Sequence, residues 1–153
     1  MKKLLTKAAP ALAFILLLGN SAFAKDVYED SYFCAGVITY MANYSLVLEE
    51  RGRATLLTIQ AARSMVFNFY VNLRGDVVPG ERVAVIKEHQ RKSKPYMDGL
   101  SHQAKYDELN RCIDLSSKNF RSISDKGGRL FGVPVTDAAS RAAKTMQQEL
   151  GLR

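Results

Sequence analysis

Asp98, His102 and Tyr106 stand at steps of four in the sequence, so a helix through them would align all three on one face. A carboxylate beside an imidazole can fix its tautomer and ready it for proton transfer, the chemistry of a small hydrolase working on cell-wall material through an Asp98/His102 pair. The same spacing arises readily on any solvated helix, where it produces only surface hydrogen bonds, and that is the favoured reading. Cys34, near the start of a helical pattern, is the one side chain that resembles a nucleophile, because a helix N-terminus favours a thiolate. The remaining chemistry is sparse. His89 and His102 are 13 residues apart, and there is no C-x-x-C, H-E-x-x-H, G-x-S-x-G or phosphate-cradling glycine loop. The expectation is therefore a protein with no catalytic signature, no cofactor and no metal.

The cysteines carry a stronger inference. Cys34 and Cys112 are the only two, which permits a single intramolecular pairing. Oxidising compartments favour the bridge, and closing so long a loop stabilises a fold by about 4 kcal/mol in the chain-entropy model. A disulfide also removes Cys34 from any role as a nucleophile.

The elements that must position these residues follow from apolar periodicity. Asp30 and Ser31 are suited to cap a first helix running to about Glu50, with Cys34, Val37, Ile38, Met41 and Leu48 on one face and Gly52 as its stop. A second helix spans about Ala54 to Leu73, with Ile59, Ala62, Met65, Val66, Phe69, Tyr70 and Leu73 in one sector and Leu57, Ala61 and Phe67 widening it. A third begins near Pro79 and runs towards Ser93, with Pro95 making Lys94 a boundary. A fourth lies within Tyr96 to Phe120, with a bend or fresh start at Asp98-Gly99 and a buried face of Tyr106, Leu109, Cys112, Ile113 and Phe120. Residues 122–134 read as a loop, and a last helix with an alanine stripe begins at Thr136 or Asp137. The fold class is all-α: a small single-domain bundle of four to five helices stapled by one disulfide.

Lys2, Lys3 and Lys7 precede the apolar run from Ala8 to Leu18, and Ala22 and Ala24 occupy small-residue positions of a cleavage site. This pattern predicts a secretory signal over residues 1–24, removed after Ala24, because the run is too short for the roughly 20 residues of a membrane span. A stapled domain over residues 25–135 and a helical arm over 136–153 would remain. The chain carries +7 overall, and loss of the three signal lysines leaves +4. That balance is too modest to predict nucleic-acid binding.

Lys87, Arg91, Lys92 and Lys94 belong to the densest basic stretch, for which solvated surface is the default reading and an interaction face the functional one. Such a face would meet an acidic protein, anionic lipid or cell-wall polymer through contacts that salt weakens. Taken together, these features predict an exported, periplasmic or secreted, non-enzymatic helical protein that acts on an envelope partner. Its form resembles exported bacterial inhibitors, immunity proteins and envelope-assembly accessories.

Overall fold

The computed structural model describes residues 12–74, 88 and 91–152, with side chains from Asp30 onward except those of Asn72 and Arg74. The domain is all-α, as expected from the periodicity. Its helices are α1 (Leu12–Val47), α2 (Arg51–Arg74), α3 (residues 91–98), α4 (His102–Ser124) and α5 (Val135–Glu149). A two-stranded antiparallel hairpin, β1 (Arg129–Leu130) and β2 (Val133–Pro134), joins α4 to α5. Most of the predicted third helix lies outside the described residues.

Named contacts set the helix directions. Ser31 meets Asn68, so α1 and α2 form an antiparallel pair across the Leu48–Glu50 turn. Cys34 bonds Cys112 while Tyr44 reaches His102, so α4 runs against α1. Arg53 reaches Tyr106 and Arg63 lies over Phe120, so α4 runs with α2. Arg51 donates to the carbonyl of Gly151 and Gln147 to Thr58, so α5 runs against α2.

The main core gathers Cys34, Val37, Ile38 and Met41 from α1, Leu57 and Ala61 from α2, Met97 from α3, and Leu109 and Cys112 from α4. The predicted α1 stripe is thus the buried one, apart from Leu48, which lies past the helix end and is exposed. On α2 the widened side (Leu57, Ala61, Phe67) is buried, whereas Phe69 and Leu73 are exposed. A second cluster forms where α4 and α5 converge on the far end of α2, from Val66, Phe67, Tyr70, Phe120, Ile123, Val135 and Ala139.

The Cys34–Cys112 disulfide is formed, with Cα atoms 4.9 Å apart and both residues fully buried. Beside it, Arg111 donates to both oxygens of Asp30 on α1, at 2.9 and 3.3 Å, and to Glu108 on its own helix. Hydrogen bonds to Glu108 and then Asp30 push the guanidinium pKa further up. Asp30 and Ser31 therefore do not cap α1, which runs through them. Asp30 takes Arg111, and the buried Ser31 hydroxyl donates to Asn68 Oδ1 at 2.6 Å. A tertiary partner outcompetes the local cap at both positions.

Gly52 does not end α1 either. Glu49 adopts φ +61°, with Glu50 N–H bonded to Ser45 C=O and Glu49 N–H to Leu46 C=O. That is a Schellman stop built on a non-glycine residue, and Gly52 lies inside the first turn of α2. The same closure ends α4 at Gly127-Gly128 and α5 at Gly151-Leu152. An L-residue in the left-handed region costs about 1–2 kcal/mol, partly offset by the greater chain entropy that glycine loses on folding. Glu49→Gly should therefore raise the unfolding free energy by about 0.5–1 kcal/mol in urea melts.

Three other expectations need correction. The helical segment 91–98 passes through Lys94 and Pro95 and closes at Gly99-Leu100, because the steric preference before proline yields to the burial of Ser93 and Met97. The predicted loop over 122–134 contains the end of α4 and the β-hairpin. Phe131 and Gly132 both have positive φ, as a type I′ hairpin turn requires, and the tip leaves Phe131 83% exposed. Finally, α5 begins at Val135 after Pro134, one or two residues before the expected caps. Its alanines Ala139 and Ala143 are buried against the body of the domain.

Candidate functional site

Two tyrosines of α1, four residues apart, meet the two predicted acid–base residues, themselves four apart. The Tyr40 hydroxyl donates to Asp98 Oδ1 at 2.8 Å, and the Tyr44 hydroxyl lies 3.1 Å from His102 Nδ1. Asp98 closes α3, whereas His102 opens α4 behind Ser101, whose Oγ accepts the Ala104 N–H. The Tyr106 ring meets His102 edge-on at 4.9 Å, and its hydroxyl accepts from Arg53 at 2.8 Å. Asp98, His102 and Tyr106 are thus brought onto one surface, but no hydrogen bond or ion pair joins Asp98 to His102. Orientation of the imidazole by this carboxylate, the first requirement of the hydrolase reading, is not made. His102 is exposed and lines none of the cavities described below.

The electrostatics match that geometry. The Lys94 ammonium, 2.7 Å from Asp98, and then the Tyr40 hydroxyl hold the Asp98 carboxyl below its usual range. Burial first, and the bond to Asp98 second, push Tyr40 from 10 up to about 12. Because the folded value is the higher one, the stability linked to neutral Tyr40 is complete below pH 10. It is lost as pH rises towards 12. A spectrophotometric titration should show one tyrosine ionising near pH 12. Asp98→Asn should lower that transition, though not to 10, because burial is its larger cause.

The predicted basic face is largely paired. Arg91 lies 2.9 Å and Lys92 3.9 Å from Glu88, and Lys94 bonds Asp98. Lys87 and His89 lie outside the described residues. Exposed pairs at these spacings contribute little stability, but they neutralise much of the charge that the sequence displays. Lys94 also borders a groove of about 600 Å³ along α1, lined by Tyr40, Tyr44, Val47, Met65 and Met146, with Glu149 at its edge.

A second groove was not legible in the sequence. It consists of two adjoining hollows along α2, one of about 450 Å³ between α2 and α4 and one of about 220 Å³ between α2 and α5 with Phe120 of α4 at its side, which share Ile59 and Arg63. The larger hollow has Leu57, Leu109 and Ile113 within it and Leu56, 65% exposed, beside it. The smaller is bounded by Ala139 and Ala143, whose side chains are too short to fill the space. The available signals were that alanine stripe and a lone arginine, Arg63, in the most apolar stretch of α2.

Another missed residue is Lys105, buried to 7% exposure on α4. Its stem packs inside while its ammonium bonds the Leu100 carbonyl and lies 5.8 Å from the Tyr44 ring centre. Cys34 has no thiol to offer, being bonded to Cys112. Among the described residues no three potential metal ligands gather, and no helix is long and apolar enough to cross a membrane. Comparison with protein-family models, characterised proteins and solved structures finds no match for this chain.

Proposed function

We propose that the protein is an exported binding protein of the bacterial envelope, non-enzymatic, acting through contacts with another protein as an inhibitor, immunity or assembly accessory does. The open groove along α2, with Leu56 exposed in its α4-side hollow, carries this reading. Large apolar side chains left beside a concave surface are a recurring feature of protein-binding sites. The acid–base candidates lend support from the other side, since Asp98 and His102 are each engaged by a tyrosine rather than by one another. Export rests on the charged and apolar pattern of residues 1–24 and is in keeping with the disulfide.

A photo-crosslinking residue at Leu56 tests the reading in cells. Irradiation should yield a discrete protein adduct in the envelope fraction, and the secreted chain should begin at Lys25. Substitution at Asp107, on the exposed side of α4, should yield none. No adduct from Leu56, together with turnover of cell-wall material that His102→Ala abolishes, would replace this reading with the hydrolase.

A further inference from the structure

We infer that the groove along α2 is a docking site for an acidic amphipathic helix of a partner protein, an inference that rests on the binding-protein reading above. Shape is the first support. The groove closes near the β-hairpin, where Phe120, Ile123, Val135 and Ala139 pack together, and its two hollows meet at Ile59 and Arg63. From Arg53 to Arg63 the floor spans ten residues of helix, about 15 Å, enough for two to three turns of a docked helix. A partner helix can place apolar anchors there at i, i+3 or i+4, and i+7 against Leu56, Ile59 and Ile113. The short side chains of Ala139 and Ala143 let its backbone come close.

Charge selects the partner. The residues lining this groove include Arg53, Arg63 and Lys144 and no acid. The other two described cavities are mixed: Glu149 borders the α1 groove, and Asp114 and Asp125 border the hollow beside α4. Arg53 already has Glu50 at 2.9 Å. Arg63 and Lys144 have no carboxylate partner among the described residues, and Arg63 rests over the Phe120 ring, 5.8 Å from its centre. A guanidinium held at the edge of an apolar floor suits a carboxylate, which it can bind through two parallel hydrogen bonds. A second copy of this chain is a poor occupant, because the exported chain would carry +4 and bring like charge. A flat anionic membrane does not reach a recessed floor.

The test uses the full disulfide-bonded chain with p-benzoylphenylalanine at Leu56, irradiated in cells, and mass spectrometry of the adduct. The expected adduct is to a helical segment of another protein that carries Asp or Glu beside its apolar residues. Arg63→Glu with Lys144→Glu should lower the adduct yield at least tenfold while the thermal midpoint of the purified variant stays near that of the parent. Should that variant fail to fold, Arg63→Gln with Lys144→Gln takes its place, with a smaller loss expected in the same direction. An adduct to a basic or uncharged segment, to lipid or to the chain itself overturns the inference, as does a yield that the folded charge variants leave unchanged. Any of these protein adducts from another chain leaves the broader binding reading standing, whereas the absence of every adduct removes both.

Discussion

Loss of the Cys34–Cys112 bond, by reduction or by Cys34→Ala with Cys112→Ala, should lower the unfolding free energy by about 4 kcal/mol. The bridge joins residues 78 apart in sequence, so its removal restores much conformational freedom to the unfolded chain. Domains of this size are stable by about 5–15 kcal/mol, so the loss takes a large share of the total. Thermal unfolding with and without reductant should show a midpoint difference on the order of 10 °C. An unchanged midpoint would show that the staple contributes nothing. Packing of Val37, Ile38 and Met41 in one core with Leu109 should hold α1 against α4 after reduction, so the bundle loosens without losing its helices, which far-UV circular dichroism can follow.

Ile38→Ala should cost about 2–5 kcal/mol, the range for removing a large aliphatic side chain from a packed interior. Ile38 is fully buried within the cluster that joins α1, α2, α3 and α4. A site held from several sides collapses poorly, which places the cost towards the upper end. Leu56→Ala, on the exposed rim, should shift stability by no more than about 0.5 kcal/mol. Urea melts of the two variants separate core from surface, with a lower midpoint and an unchanged slope expected for Ile38→Ala.

The candidate site was only partly legible. The four-residue steps of Asp98, His102 and Tyr106 are visible in the chain and do place the three on one surface. Their partners are not visible: Tyr40 and Tyr44 are aromatic residues on a helix rich in apolar side chains, and nothing in their spacing links them to residues 58 positions away. The basic run around Arg91 is obvious in the sequence, yet Glu88 and Asp98, equally visible there, absorb much of its charge. The groove bearing Arg63 and Lys144 is invisible, because those residues stand far apart in the chain and meet one cleft only through the crossing of α2 with α4 and α5.

Two properties followed from the sequence by itself. The buried faces of α1 and α4 follow from apolar residues at helical spacing, a local geometry that needs no knowledge of neighbours. The disulfide follows from counting, since two cysteines admit one intramolecular pair. Tertiary structure decided the rest: that α1 passes through Asp30 and Ser31 because Arg111 and Asn68 claim their side chains, and that it stops at Glu49 rather than Gly52. It also decided that Asp98 and His102 are bonded to separate tyrosines, and that an apolar groove stays open along α2. Each of these depends on how helices cross and in what register their side chains meet. Periodicity within one helix determines which face is buried and leaves undetermined what that face meets.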